Sequence, residues 1–148
     1  MTIASILATK GNKVVTIQPE QSIRDALRVL AEHNIGALVA IDPGRRPVGI
    51  LSERDVVRAA VRDESVFGLT VSQLMTRDVI VGAPGDDLAA VGHTMIQRRI
   101  RHLPVVEGGK LIGMISIGDI VKAQRDHYQG EVDTLQTQLL ADERGRAI

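Results

Sequence analysis

The chain has 148 residues, of which 44% are hydrophobic and 24% charged, enough for one compact domain or for two small lobes sharing a core. Its 18 basic and 18 acidic side chains balance to a formal net charge of zero, which removes the electrostatic case for nucleic acid or an anionic membrane as partner. With no cysteine, and with Phe67 and Tyr128 as its two aromatics, it excludes a disulfide framework, thiolate chemistry and a base-stacking platform.

The start, Met1 to Lys13, lacks the basic opening and the apolar core of a signal peptide, and no apolar run reaches the ~18 residues that cross a bilayer. Together with the absence of cysteine this points to the cytoplasm. Ile3-Ala4-Ser5-Ile6-Leu7 is a short apolar connector. A β-rich run, Val14 to Gln18, closes at Pro19. Ile23, Ala26, Leu27 and Leu30 then recur at helical spacing, behind Ser22-Ile23-Arg24-Asp25, a serine-and-acid pair suited to capping a helix start. Ala37 to Ile41 and Pro47 to Leu51 read as two strands joined through Asp42 to Arg46. The second strand runs into GILSERD, Gly49 to Asp55, where another helix begins.

From residue 63 to 78 a linker carries Val71-Ser72-Gln73-Leu74-Met75, a short capped helix and a stronger form of the first connector. The order of elements then repeats. Val79 to Pro84 matches Val14 to Pro19, and Leu88, Val91 and Met95 form a second apolar stripe. Leu103 to Val106, a turn at Gly108-Gly109, and Leu111 to Ile115 follow. This last strand ends in GMISIGD, Gly113 to Asp119. The aspartates of the two motifs stand 64 positions apart, so each unit is strand, helix, strand, strand, helix, and neither buries its hydrophobic face without its twin. A helical pattern continues toward Ala141 with Val132, Leu135 and Leu139 at helical spacing. It suits either a helix packed on its own body or one offered to a dimer partner, and Gly130 argues against a single unbroken helix.

Ser-x-x-Asp alone is a capping signal, because the serine oxygen accepts a free backbone N–H and the acid suits the positive helix end. Two copies at a strand-to-helix junction, each headed by glycine, say more. Such a junction presents free N–H groups to an anion, and an aspartate three residues on accepts hydrogen bonds from neighbouring hydroxyls. A phosphate beside vicinal hydroxyls is a ribose phosphate.

The doubled unit, with Leu103-Pro104-Val105-Val106 ahead of GMISIGD, resembles a tandem CBS domain pair, the regulatory module named after cystathionine beta-synthase, over roughly Met1 to Arg125. The resemblance implies an α+β fold: two βαββα repeats packed sheet to sheet about a pseudo-twofold axis, with a C-terminal helical extension. The expected organisation is a first repeat with its connector over residues 1–62, a linker over 63–78, a second repeat over 79–125 and a helical tail over 126–148. It also implies two clefts for adenosine compounds: AMP, ADP, ATP, S-adenosylmethionine or NAD(H). Asp55 and Asp119 would hold ribose hydroxyls, with Ser52 and Ser116 near phosphate or ribose. Adenine would slot beside Val15, Thr16, Ile35, Gly36, Ala37 and Leu38 in one cleft, and beside Ile80, Leu103 and Pro104 in the other.

The two grips are unequal. Arg101-His102 stand where the first unit has Gly36-Ala37, and Arg54 stands opposite Gly118, so phosphate-reaching groups gather on one side. His33, His93 and His127 lack metal-ligand spacing, and Gly82, Gly85 and Gly92 form no dinucleotide-binding turn. No nucleophile, base or metal set assembles. The expectation is a non-enzymatic nucleotide sensor, a homodimer acting on a separate protein effector; the alternative is an interaction or scaffold module with vestigial clefts.

Overall fold

The structure, a computed structural model, describes residues 1–146. Helix α1 (Ile3–Lys10) precedes the first repeat, which comprises β1 (Thr16–Ile17), α2 (Ile23–His33), β2 (Ala37–Ile41), β3 (Pro47–Ser52) and α3 (Glu53–Arg62). A 3-10 turn (Glu64–Gly68) and the short α4 (Val71–Leu74) lead to the second repeat. There α5 (Leu88–Arg98), β4 (His102–Glu107), β5 (Lys110–Ser116) and α6 (Ile117–Arg146) follow. In the first sheet β2 is central, parallel to β1 and antiparallel to β3; in the second, β4 pairs antiparallel with β5.

The repeats correspond closely. Ala37 pairs with Ser52 as His102 pairs with Ser116, and α2 and α5 both end on a left-handed residue, Asn34 and Arg99. One expected strand is missing. Residues 79–84 make only a bridge, Gly82 to Val105, and Pro104 explains it. Its carbonyl accepts from Gly82, so its nitrogen faces the same way, and proline has no hydrogen there to donate to the residues before Gly82. Val39 occupies the equivalent place in the first repeat, where β1 does form.

Each repeat has its own apolar core, and the connectors are shared out crosswise. Val71 and Met75 complete the first core beside Ile23, Leu38 and Leu51. Ile3, Ile6 and Leu7, from α1, lie instead in the second core with Leu88, Met95 and Ile115. Backbone bonds repeat the same anchoring: Ser72 N–H donates to Pro19, and Ala4 N–H donates to Pro84. The glycines that head the two motifs make room for these connectors. A Cβ on Gly49 would overlap the Met75 side chain, and one on Gly113 would lie 2.9 Å from Leu7 Cδ2.

Helix α6 runs unbroken through Gly130. Its first turns pack on the second core through Ile117, Ile120 and Ala123, but from Arg125 onward its described side chains are exposed. Packing of the tail on its own body is therefore not what forms. No described helix is long and apolar enough to cross a membrane.

Candidate functional site

Both motifs fold into the same local device. Strands β3 and β5 deliver a serine at their ends, and the following helix begins at once. Ser52 Oγ accepts from Asp55 N–H at 3.2 Å while Asp55 Oδ2 accepts from Ser52 N–H at 2.9 Å. The second copy matches: Ser116 Oγ accepts from Asp119 N–H at 3.1 Å, and Asp119 Oδ2 accepts from Ser116 N–H at 2.8 Å. Each junction is also pinned to the adjacent strand, by Glu53 N–H to the Gly36 carbonyl and by Ile117 N–H to the Arg101 carbonyl. Ser22 differs. Its hydroxyl caps Asp25 N–H at 3.1 Å, but the Asp25 carboxylate reaches Arg28 instead of closing the box.

Asp55 opens onto a cleft of about 310 Å³ that both repeats line. The first repeat contributes Ala37, Ser52, Arg54 and Asp55, and across from them stand Ile80, Arg101, His102 and Pro104. Eight residues singled out from sequence therefore share one cavity. Four arginines line it, Arg54, Arg58, Arg99 and Arg101, against three carboxylates, Glu53, Asp55 and Asp78. The His102 imidazole is held below its ordinary value by burial, helped by Lys10 and Arg101, with Asp119 and Glu53 opposing. It is neutral at pH 7 and can accept or donate a hydrogen bond. Gly36 lies at the edge: a Cβ there would come within 3.5 Å of Glu53 Oε1 and 4.0 Å of His102 Cε1.

The remaining residues lie elsewhere. Leu38 is fully buried in the first core, and Val15 and Ile35 pack against it. Thr16 lines a separate depression with Pro19 and Arg77. Leu103 belongs to the second core and, with Ile80, borders a small apolar recess. Ser116, Gly118 and Asp119 occupy the counterpart of the Asp55 site, and there the chain supplies its own cation. Lys10, at the end of α1, donates to Asp119 Oδ2 at 2.7 Å and to the Met114 carbonyl at 2.9 Å. Burial pushes the Asp119 carboxyl up, but hydrogen bonds from Lys10 and Ser116 outweigh it and hold the group below the usual carboxylate range. Arg54, Arg99 and Arg101 have Gly118, Asn34 and Gly36 in the equivalent places, so the second site lacks three of the first site's guanidiniums.

Sequence reasoning passed over Arg58, Arg99, Asp78 and Lys10. Arg58 was legible, one helical turn beyond Arg54 on α3. Arg99 carried a weaker sign, since it takes the left-handed place that Asn34 holds in the first repeat. Nothing local announces Lys10, which lies 109 positions from its partner Asp119.

The model of the CBS domain family matches residues 4–62 and again 71–126, most of the chain. The chain belongs to the CBS domain family. Its structure is similar to that of the CBS-domain containing protein from Agrobacterium tumefaciens, at TM-score 0.80 and 38% identity over 84% of this chain and 99% of that one. It is also similar to a CBS domain protein from Pyrobaculum aerophilum solved in complex with AMP, at TM-score 0.71 and 27% identity over 80% of this chain and 89% of that one. A third likeness is to a CBS domain pair solved with 5'-methylthioadenosine and S-adenosyl-L-methionine, at TM-score 0.75 and 25% identity over 86% of this chain and 98% of that one. Apart from the first strand of the second unit, the expected fold is the fold observed, two CBS units with a C-terminal helix.

Proposed function

We propose that this CBS pair is a non-enzymatic regulatory module that binds an adenosine nucleotide, AMP above the others, in the cleft carrying Asp55. One observation carries the reading. A strand-to-helix junction with a capping aspartate shares one cleft between the repeats with four arginines, Arg54 and Arg58 on its own helix and Arg99 and Arg101 across from it, and with an apolar wall. Each part has a task. Asp55 Oδ2 serves the helix cap, which leaves Oδ1 for ribose hydroxyls. Arg54, Arg58, Arg99 and Arg101 supply the charge that a phosphate requires. Ala37, Ile80 and Pro104 give adenine an aliphatic slot, as suits a chain with two aromatics.

Size and charge select among ligands. At about 310 Å³ the cleft lies at the lower limit of small-molecule sites, which favours a mononucleotide over NAD(H). The arginine excess favours AMP over S-adenosylmethionine, which brings a sulfonium cation. The Asp119 site, holding Lys10 and lacking three guanidiniums, is the weaker of the two. Ligand held between two repeats regulates only if it prefers one of their relative arrangements, and output then passes to a protein effector. The module works as a homodimer in the cytoplasm.

Thermal unfolding with AMP, ADP, ATP, NAD(H) and S-adenosylmethionine tests the reading. At 100 times its dissociation constant a native-state ligand adds about 2.7 kcal/mol, which for a chain of this length raises Tm by roughly 5–10 °C. No shift with any of them would favour an interaction module in which both motifs serve only as helix caps, a role the two closed capping boxes already fill.

A further inference from the structure

From Arg125 onward the described side chains of the long helix α6 are exposed, and it carries an apolar stripe that no other described residue covers. Tyr128, Val132, Leu135 and Leu139 are exposed by 67%, 46%, 59% and 63%. Their spacings of four, three and four place them on one narrow face, the a and d positions of a heptad seam. The same seam continues to Arg125 on one side and Asp142 on the other, with Lys122 and Glu143 flanking those ends. One end of the stripe is therefore basic and the other acidic.

We propose that α6 pairs antiparallel with α6 of a second copy of this chain, about a twofold axis passing between Asp133 and Thr134. In that register Val132 packs on the partner's Leu135 and Tyr128 on the partner's Leu139, each contact occurring twice by symmetry. Arg125 meets the partner's Asp142, and Lys122 meets the partner's Glu143. The seam is complementary to itself only in this direction. A parallel pair would set Arg125 against the partner's Arg125 and Asp142 against the partner's Asp142, two like-charge contacts at seam positions. Opposed helix dipoles favour the same choice. The overlap from Lys122 to Glu143 spans roughly 33 Å at 1.5 Å per residue, with two apolar layers on each side of the axis. That is a short seam, so the dimer is reversible and its population depends on concentration. The proposal gives a location and a direction to the homodimer inferred above, and it does not depend on the nucleotide.

Sedimentation velocity on the full chain, without nucleotide and over a roughly hundredfold concentration range, tests it. The wild type should pass from monomer to dimer, and Val132→Glu with Leu135→Glu should stay monomeric with the Tm of the dilute, monomeric wild type, because both side chains are exposed within the chain. Arg125→Asp alone and Asp142→Arg alone should each raise the dimer dissociation constant about tenfold or more, and the two together should restore it. Only the antiparallel register makes the double exchange restorative. A wild type that is monomeric throughout, a dimer that survives the paired glutamates, or a double exchange no better than its singles would each overturn the proposal. Loss of AMP binding leaves this test untouched, and a monomer leaves the cleft reading untouched, so the two fail separately.

Discussion

The Lys10–Asp119 pair is the contact that closes the N-terminal helix onto the second motif, and its energy can be measured. Lys10→Met keeps most of the aliphatic stem and removes the ammonium. Asp119→Asn keeps an oxygen for the Ser116 N–H and removes the charge. The Nζ to Oδ2 distance is 2.7 Å, with the lysine side chain 41% exposed and the aspartate 25%. Exposed pairs measured by double-mutant cycles contribute about 0.2–1 kcal/mol, and partial burial with a direct hydrogen bond puts this one at the upper end, about 1 kcal/mol. In a chain of this length that coupling is worth roughly 2–4 °C in Tm. Because the folded-state Asp119 carboxyl lies below its ordinary value, the stabilisation is complete above the unfolded value of about 4 and is lost as pH falls through the folded value. Urea unfolding of wild type, both single variants and the double variant at pH 7 should return that coupling, and it should fade as the pH is lowered through the folded value. A coupling under about 0.3 kcal/mol at pH 7, or one that stays constant into acid, would refute the account.

Further outcomes follow from the cleft and the packing. Asp55→Ala should weaken AMP binding in calorimetric titration and cost about 1 kcal/mol of stability through its lost cap, whereas Asp25→Ala should leave AMP affinity alone. Arg101→Ala should weaken AMP about tenfold while changing adenosine little, and an equal loss for both would remove phosphate contact as its role. Gly49→Ala should destabilise by about 1–3 kcal/mol in urea unfolding, since its methyl meets Met75, and Met75→Ala in the same chain should recover part of that loss.

How much of this was visible in the sequence depends on the range of the interaction. The repeats were legible because hydrophobic period and turn residues are local signals, and the helix starts at Ser22, Ser52 and Ser116 could be read from their spacing. Pro104 is visible in the sequence, but its effect on pairing, the loss of a strand, depends on which way its nitrogen points. Gly130 does not break the helix that its presence argues against. A glycine costs about 1 kcal/mol against alanine in a helix, and good helix formers on both sides absorb that. The glycines at 49 and 113 were visible, but their reason, a connector helix lying on the strand, comes from segments far away in sequence. The crowding of arginines into one cleft likewise joins α3 to the end of α5, which no local pattern reports.

The crosswise connectors impose an order on the making of the molecule. The first repeat finds its own covering helix directly after it, so its core can close once Met75 has emerged. Helix α1 is made before either repeat, yet its apolar face belongs against β5, about a hundred residues later. At translation rates of roughly 5–20 residues per second, Ile3, Ile6 and Leu7 wait between about 5 and 20 s for a partner. Synthesis therefore yields a finished half beside an unsatisfied helix, and the second half is sealed by a helix made before the first.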